Sequence, residues 1–314
     1  MDSSLAEIKI GVPQGSTLGP LLFLVFINDI LNSSHLLKFN LFADDTSLFY
    51  KDKNITSLYS TVNRELELVD EWIRANKLCL NTGKTVYLLF HGKRNSGPLP
   101  RLFLGNAEIE RKNVVKFLGI FLDDKLKWKM QIDHISNKLS KMLGILYRVR
   151  NFLTASALKT FYYSFIFPYL QYGLIFWSSS SKKQFNRIVI KQKKVLRCMH
   201  YKRKFAHTEG LFKKDRIIKL SDLRDLEICK FMYIDINYNR LFDFRTHASI
   251  HEYPTRNRSN LVPNQVHSTL AYNFVLNKGI VLFNSLEDYL KSADNTNLFK
   301  TRLRNHYLNR YLAE

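Results

Sequence analysis

Cysteine is scarce in this sequence, and no two cysteines are spaced as a pair. Cys79, Cys198 and Cys229 lie far apart in a chain of 314 residues, without a C-x-x-C motif or a cluster of cysteine and histidine. This pattern is typical of a reducing compartment, excludes a dense disulfide framework and gives no support for a zinc site. The polar and acidic residues 1–7 also lack the apolar run of a signal peptide.

Long uncharged apolar runs are also rare. Leu18–Ile30 is short and interrupted by polar residues, and Phe161–Trp177 has 17 residues without a charge, whereas a membrane-spanning helix needs about 20. Phe161–Trp177 also contains Pro168 and is rich in tyrosine, which favours a buried helix pair broken at Pro168 over a membrane segment. We therefore expect an intracellular protein with no membrane partner. Nothing in the sequence distinguishes the nucleus from the cytoplasm or indicates an oligomeric state.

Acidic residues are sparse in the second part of the chain. The whole sequence has 48 Lys and Arg against 27 Asp and Glu, a formal charge of +21. Residues 1–125 carry a net charge of only +1, whereas residues 126–314 carry +20. A positive field of this size attracts nucleic acid or anionic lipid. The hydrophobic fraction of 46% and the aromatic fraction of 13% are sufficient for packed cores and argue against disorder.

Hydrophobic periodicity predicts an α+β first part and a helical second part. Leu18–Leu31 is predicted to be a buried helix, and Leu36–Tyr50 two short strands joined by a tight acidic turn. Residues 55–76 have the spacing of an amphipathic helix, short strands are expected between 85 and 122, and helical spacing begins at Lys127. The predicted domains are residues 1–125, 126–205 and 206–314.

Two adjacent aspartates stand at the predicted acidic turn. Asp44 and Asp45 have apolar residues on both sides, and like charges this close repel each other unless a cation neutralises them. Carboxylate oxygens on a rigid turn are ligands that suit Mg²⁺. Because adjacent aspartates are also common in solvated turns, the pair alone leaves both a metal site and an ordinary turn open.

A polar, glycine-rich loop, Gly11–Pro20, lies upstream of the aspartates and leads into the first predicted helix, with Ser16 or Thr17 as its N-cap. Glycines permit a ligand to approach the backbone closely, and the Gln14 side chain offers both a donor and an acceptor. The alternative is an ordinary Gly/Pro turn that caps the helix.

The sequence Gly11–Phe23 followed by Leu41–Phe49 resembles the reverse transcriptases of non-LTR (LINE-type) retrotransposons, particularly the jockey-like group. In that family a Pro-Gln-Gly loop positions the template base and the incoming nucleotide, and an Ala-Asp-Asp hairpin supplies metal-binding carboxylates. The resemblance therefore implies that Asp44 and Asp45 are catalytic ligands of Mg²⁺ or Mn²⁺, with Asp44 the stronger ligand.

The same resemblance assigns further site residues. Those similar to the template- and nucleotide-binding loop are Pro13, Gln14 and Gly15. Lys84 looks like the lysine that contacts nucleotide phosphates; its alternative is a solvated turn lysine. The residues similar to the hairpin that grips the primer end are Phe117, Leu118 and Gly119. Their alternative is the core of an ordinary strand.

The resemblance implies a partial right-hand polymerase palm, an antiparallel sheet with helices, followed by a mostly α-helical thumb and C-terminal region. The implied reaction of the intact parent is RNA-directed DNA synthesis by two-metal nucleotidyl transfer. Its implied partners are an RNA template, a DNA primer or target, and dNTP. In this family another metal-binding Asp and the fingers precede the loop. Only ten residues precede Gly11 here, so we expect the chain to be inactive alone. The alternative is a non-catalytic, basic nucleic-acid-binding protein derived from a retroelement.

From Lys182 to Lys204 the sequence has ten Lys or Arg and no acid, with an apolar stripe that includes Phe185 and Ile188. Such a helix binds a nucleic-acid backbone, lies on a membrane surface or is a solvated face, and the neighbouring palm favours nucleic acid. The residues predicted to contact the backbone are Lys182, Lys183, Arg187, Lys191 and Lys194. Aromatic residues that either stack on bases or form helical core are Tyr147, Tyr162, Tyr163, Tyr201 and Phe205.

Overall fold

The computed structural model describes residues 15–92, 99–250, 258–266 and 268–313. The chain divides into two compact units, Met1–Val115 and Lys116–Glu314. Short strands and helices form the first unit, and helices dominate the second. The protein is therefore helix-rich with small sheets, which agrees with the predicted α+β class. The predicted three-part division stays a prediction.

The first unit begins with a helix and a β-hairpin. Helix α1 spans Gly19–Ile27 and continues as a 3₁₀ turn over Asn28–Ser33. Strands β1 (Lys38–Phe42) and β2 (Asp45–Phe49) pair antiparallel. The predicted helix and acidic hairpin are both present.

Helix α1 is not the buried helix that its sequence predicts. Leu18, Leu21 and Val25 are 62%, 59% and 70% exposed, and only Gly19 and Ile27 of the helix are buried. The helix carries its own apolar side chains on every face, so it is buried only if other elements pack on every face. The described part of the first unit does not supply them, and the prediction of burial is therefore wrong for this unit.

Helix α2 (Ile55–Ala75) is the centre of the first unit. Asn54 caps its start, because its side-chain oxygen accepts from the amides of Thr56 (2.8 Å) and Ser57 (3.3 Å). The apolar face of α2 packs on a three-stranded sheet of order β3-β5-β4, with Tyr59 in the shared core. The strands are β3 (Val86–Tyr87), β4 (Leu102–Leu104) and β5 (Ala107–Arg111). β5 pairs antiparallel with β4 and parallel with β3.

A second β-hairpin leads into the helical unit. Strands β6 (Val114–Phe117) and β7 (Ile120–Asp123) form a two-stranded sheet, and α3 (Lys129–Val149) follows. The remaining helices are α4 (Ala155–Phe161), α5 (Phe167–Gln171), α6 (Leu174–Trp177), α7 (Lys182–Met199), α8 (Glu209–Asp215), α9 (Leu220–Ile234), α10 (His247–Ile250), α11 (Thr269–Asn273), α12 (Val275–Asn284), α13 (Asp288–Lys291) and α14 (Thr296–Ala313). One continuous apolar core joins α3, α7, α9 and α14.

The segment around Pro168 is continuous rather than broken. Helix α4 passes through a π-helical turn, Tyr162–Ile166, directly into α5. Proline lacks an amide donor and crowds the carbonyl of the preceding turn, and the wider π turn accommodates it. The break lies instead at Gly173, whose φ of +62° begins the turn into α6. The prediction of burial is correct for only one side of the segment: Tyr162, Ile166 and Trp177 are fully buried, whereas Phe165 and Tyr172 are 50% and 55% exposed. Within the described ranges, no helix is long and apolar enough to cross a membrane.

Candidate functional site

Asp44 and Asp45 lie at the tip of the first hairpin. The register pairs Phe42 with Asp45, so Ala43 and Asp44 form a two-residue turn, and Ala43 has a left-handed φ of +51°. Two-residue hairpin turns use such left-handed positions because they match the twist of the strands. Both carboxylates are exposed. The apolar residues on both sides of the pair are only partly buried, because only one face of the hairpin packs on α2 and Phe42 is 61% exposed.

Asp44 and Asp45 supply oxygen ligands for a hard cation but do not complete its coordination by themselves. Among the described residues, no three His, Cys, Asp or Glu side chains are grouped so that they could hold a metal ion. Proteins commonly bind Mg²⁺ through one or two carboxylates, and substrate phosphates and water complete the octahedron. Two exposed carboxylates on one turn therefore fit the part that a protein supplies to such an ion.

A second adjacent aspartate pair, Asp123 and Asp124, behaves differently. The Asp123 carboxylate accepts from the amides of Lys125 (3.2 Å), Lys127 (2.9 Å) and Trp128 (2.7 Å). These bonds hold the connection between β7 and α3 and occupy the oxygens that a cation would need. The structure therefore distinguishes two pairs that have the same sequence pattern.

The start of α1 carries the glycine-rich loop. Pro13 and Gln14 lie outside the described residues. Gly15 has a φ of +87°, a backbone conformation that glycine permits, and outside its chain neighbours no atom of the described residues lies within 4 Å of the position that a Cβ would take. The Ser16 hydroxyl oxygen accepts from the Gly19 amide at 3.1 Å. Ser16 thus satisfies one amide at the helix start, but the N-cap is Leu18, without a side-chain cap, so the predicted N-cap at Ser16 or Thr17 is wrong.

Lys84 lies in the turn that precedes β3. The Asn81 side-chain oxygen accepts from the Lys84 amide at 3.2 Å, and the Asn81 carbonyl accepts from the Thr85 amide at 3.2 Å. These bonds fix the backbone of the turn, while Lys84 is exposed. An exposed lysine on a fixed turn is compatible with a phosphate contact and with a solvated residue.

The turn of the second hairpin consists of Leu118 and Gly119. Both are left-handed, with φ values of +43° and +83°, which is the conformation of a tight type I′ hairpin turn. Tyr172 donates its hydroxyl hydrogen to the Leu118 carbonyl, and a Cβ on Gly119 would lie 3.5 Å from the Tyr172 ring. Phe117 is half-buried at the end of β6. Leu118 and Gly119 therefore form a supported turn rather than the core of a strand.

Helix α7 is the predicted basic helix, and its apolar side is occupied. Phe185 and Ile188 are buried in the core of the second unit. Gln192 is fully buried with them, and its amide nitrogen donates to the Tyr162 hydroxyl and the Ile218 carbonyl, both at 2.9 Å. An interfacial membrane helix needs a free apolar face. The packing of α7 leaves its polar face, not its apolar face, in contact with solvent.

Two of the predicted backbone-contacting cations are exposed at the start of α7. Lys182 and Lys183 lie in its first turn, where no acidic residue accompanies them. The positive end of the helix dipole disfavours cations at this position. This local cost is offset when a polyanion binds, so these two lysines are the best placed for a phosphate backbone.

The other three residues of α7 that were predicted to contact the nucleic-acid backbone have partners or are partly buried. Arg187 donates to Asp133 of α3 at 2.7 Å. Lys191 contacts the Ser140 hydroxyl, and burial, followed by the positive charges of Lys194 and Arg187, lowers the pKa of Lys191. Lys194 itself is half-buried. These residues add to the positive field but are less available for direct contact.

The five aromatic residues divide between core and surface. Tyr162 is fully buried and Tyr163 half-buried, as expected for helical core. Tyr147, Tyr201 and Phe205 are 63%, 54% and 85% exposed.

Arg150, which contacts two of these rings, was not predicted from the sequence as a functional residue. Its guanidinium carbon lies 4.3 Å from the centre of the Tyr147 ring and 4.7 Å from that of the Tyr201 ring. The spacing of three residues between Tyr147 and Arg150 was the available signal, because such residues share a helix face.

Residues 4–122 match the family model described as reverse transcriptase (RNA-dependent DNA polymerase). This part of the chain is therefore similar to a reverse-transcriptase domain. The domain includes the Asp44–Asp45 hairpin, Gly15, Lys84 and the turn at Leu118 and Gly119. It ends within β7 and does not include α7. Reverse transcriptases generally use divalent metal ions, an RNA template and nucleotides.

Curated proteins similar to the chain come from non-LTR elements. The chain is 29% identical over 231 residues to the RNA-directed DNA polymerase from mobile element jockey of Drosophila melanogaster, covering 70% of the chain and 25% of that protein. It is 27% identical over 211 residues to the probable RNA-directed DNA polymerase from transposon BS of the same species, covering 62% and 23%. It is 25% identical over 206 residues to the jockey protein of Drosophila funebris, covering 62% and 22%. No solved structure matches the chain significantly.

The predicted resemblance to jockey-like non-LTR reverse transcriptases is confirmed. The chain spans about a quarter of the length of the Drosophila melanogaster jockey protein, and the match extends beyond the reverse-transcriptase domain into the helical unit. Both units of the chain therefore have counterparts in that protein.

Proposed function

We propose that the reverse-transcriptase domain supplies one carboxylate pair to the active site of a retrotransposon RNA-directed DNA polymerase. The observation that carries this proposal is the position of Asp44 and Asp45, which are adjacent and exposed on a hairpin tip within the matched residues. When bound, divalent ions supply activation of the primer hydroxyl and stabilisation of the leaving pyrophosphate. Asp44 and Asp45 hold these ions on a backbone that pairing with β1 keeps rigid.

The two units have different proposed roles. The first unit is the partial palm, in which Pro13, Gln14 and Gly15 position the template base and the nucleotide, and Lys84 contacts its phosphates. The turn with Phe117, Leu118 and Gly119 holds the primer end. The helical unit is thumb-like and holds the nucleic-acid backbone, chiefly through Lys182 and Lys183.

We propose that the chain alone does not extend a primer. Two ions a few ångströms apart each need several oxygen ligands, and one adjacent carboxylate pair is only part of such a set. The test is extension of a labelled DNA primer on an RNA template with dNTP and Mg²⁺ or Mn²⁺. We expect no product from the chain of 314 residues. Extension that Asp44→Ala abolishes would show a complete active site and overturn the proposed incompleteness.

A second candidate is a non-catalytic nucleic-acid-binding protein. It is favoured by the exposed lysines at the start of α7, which no nearby acid in the first turn neutralises. Both candidates predict nucleic-acid binding, but only the first predicts that the Asp44 pair binds a divalent ion. Tight binding of nucleic acid together with no metal binding at Asp44 would favour the second candidate.

A further inference from the structure

Tyr201 occupies a backbone position that normally favours glycine. It follows α7 with a φ of +54°, and two bonds complete a Schellman motif: the Tyr201 amide donates to the Cys198 carbonyl (3.3 Å), and the Lys202 amide donates to the Arg197 carbonyl (2.9 Å). A left-handed backbone is strained for tyrosine, because its Cβ crowds the following carbonyl oxygen. A residue kept in a strained position points to a role for its side chain.

The Tyr201 side chain takes part in a stack with a cation at its centre. The Arg150 guanidinium lies between the rings of Tyr147 and Tyr201, with its carbon 4.3 Å and 4.7 Å from their centres. The Tyr201 hydroxyl donates to the Arg150 carbonyl at 2.6 Å, and an Arg150 side-chain nitrogen donates to the Cys198 carbonyl at 3.2 Å. These contacts hold both rings in fixed orientations, although each ring is more than half exposed.

Two further aromatic residues, close in sequence to the stack, are still more exposed. Phe152, two residues after Arg150, is 87% exposed, and Phe205, four residues after Tyr201, is 85% exposed. The Lys204 ammonium lies 5.3 Å from the centre of the Phe205 ring. Rings of this size are normally covered in a protein, so an uncovered group of them marks an interaction surface.

The stretch of sequence that contains these rings carries charges of only one sign, and an acid that approaches this stretch in the structure, Asp215, is paired with His200 at 2.7 Å. Residues 134–208 contain 15 Lys and Arg and no Asp or Glu. In the sequence, Tyr201 and Phe205 are separated by three basic residues, Lys202, Arg203 and Lys204. A positively charged surface with uncovered aromatic rings has the composition of proteins that bind single-stranded nucleic acid, in which successive bases stack on the rings and cations contact the phosphates.

We propose that the Tyr147–Arg150–Tyr201 stack and Phe205 form a base-stacking surface for single-stranded nucleic acid. Arg150 holds the two tyrosine rings, and unpaired bases stack on their free faces. A duplex cannot use this surface, because its bases are already stacked on one another. The proposal goes beyond a backbone contact at α7, although it rests on the proposed nucleic-acid-binding role of the helical unit.

The test compares single strands with a duplex. Fluorescein-labelled oligo(U) and oligo(dT) of about 15 nucleotides, long enough for a stacking site, and a blunt duplex of the same length are titrated with the full chain, and anisotropy gives Kd. We expect Tyr147→Ala and Phe205→Ala each to weaken single-strand binding by about 5-fold or more. Duplex binding and the salt dependence of Kd stay unchanged, because the phosphate contacts remain.

Two further variants separate stacking from folding. Tyr201→Gly removes the ring but introduces the residue favoured at this backbone position, so the chain stays folded while single-strand binding weakens. Tyr201→Phe keeps the ring and retains binding. Tyr289→Ala removes a tyrosine of similar exposure (49%) on α13 and serves as the matched control.

The outcomes distinguish this proposal from the proposed function. Unchanged single-strand binding in the Tyr147, Tyr201 and Phe205 variants would show that the stack only joins α3 to the end of α7, and equal losses for single strand and duplex would also overturn base stacking. Binding that requires Lys182 and Lys183 but not the rings would leave the proposed function standing without this surface. No binding of any nucleic acid at low salt would overturn both.

Discussion

The Ser34 hydroxyl donates to the Glu65 carboxylate at 2.7 Å, and both residues are buried. The same hydroxyl oxygen accepts from the amides of Leu36 (3.3 Å) and Leu37 (3.1 Å). One side chain thus connects the middle of α2 to the segment that enters β1. The position of the acidic hairpin therefore depends on a buried polar contact as well as on apolar packing.

We expect Ser34→Ala to destabilise the first unit by about 1–3 kcal/mol, because the buried Glu65 carboxylate loses the donor to Oε2 and keeps only Arg64, which donates to Oε1. Hydrogen exchange of the β1 amides measures the change locally. Ser57→Ala is the matched control, since its hydroxyl donates to Asp52 at 2.8 Å in an exposed position, and it should destabilise the unit much less than Ser34→Ala, because water replaces an exposed hydrogen bond. Equal effects of the two substitutions would contradict the importance assigned to the buried contact.

The Glu65 carboxylate should also make the stability of the first unit depend on pH in the acidic range. The Ser34 hydrogen bond is the main reason why the pKa of Glu65 lies below its usual value of 4.5. A lowered pKa in the folded state means that Glu65 stabilises the fold above the usual pKa, and that this contribution disappears as the pH falls through the folded value. The stability difference between the native chain and Glu65→Gln should therefore shrink as the pH falls below about 4.5. A difference that grows on acidification would contradict it.

The two aspartate pairs allow a controlled metal experiment. Mn²⁺ should broaden the NMR signals of residues around Asp44 and Asp45, because these carboxylates are exposed and adjacent. Asp44→Asn should abolish most of the broadening. Asp124→Asn is the matched control, since it alters the pair whose Asp123 oxygens accept backbone amides. Broadening centred on residues 123–124 instead would refute the assignment of the metal ligands.

The exposed lysines of α7 predict a measurable salt effect. The double variant Lys182→Gln, Lys183→Gln should lower the slope of log Kd against log salt by about 1.4 for a single strand, or about 0.7 for each phosphate contact. Arg187→Gln provides a contrast, because it also removes the ion pair with Asp133. Arg187→Gln should therefore lower thermal stability, whereas the double variant should not. An unchanged slope in the double variant would remove Lys182 and Lys183 from the interface.

Lys278 should make the stability of the second unit depend on pH in the alkaline range. Burial is the main reason why its pKa falls from 10.5 to about 8, beside Asp225 at 3.7 Å. The folded state then holds this proton less tightly than the unfolded state, so the contribution of Lys278 to the free energy of unfolding rises as the pH increases from about 8 to about 10.5. Lys278→Met should remove this rise.

Urea unfolding at several pH values across this window tests the effect of Lys278. Asp225 retains Arg224 at 2.7 Å as a partner in the variant, so no carboxylate is left alone. Lys214→Met, at an exposed position of α8, is the control and should preserve the rise. Parallel curves for the native chain and Lys278→Met would disprove the effect.

Local sequence patterns were sufficient for much of the fold. The helix at Ile55–Ala75 and the Asp44 hairpin were predictable because apolar spacing and turn residues determine them over short distances. The burial of α1 was not predictable, because it depends on which elements surround the helix. The π turn before Pro168 was missed for a related reason, since core packing decides whether proline ends a helix or widens it.

The candidate site was predictable in its motifs and not in its contacts. The motif of Asp44 and Asp45 was visible in the sequence, but only the structure distinguishes it from the pair at Asp123, whose amide partners come from the chain's return into α3. The stack around Arg150 could not be predicted, because it includes Tyr201. Tyr201 is distant in sequence and contacts Arg150 only when α7 packs on α3.

The hairpin at β6 and β7 has a consequence for how this chain is divided. Its turn is held by Tyr172, and the Phe121 amide donates to the Gln131 side chain at 3.0 Å. A gene fragment that stops at residue 125 would encode both strands yet omit both anchors. The family-model match, which ends at residue 122, and the helical unit, which begins at Lys116, therefore overlap at this hairpin.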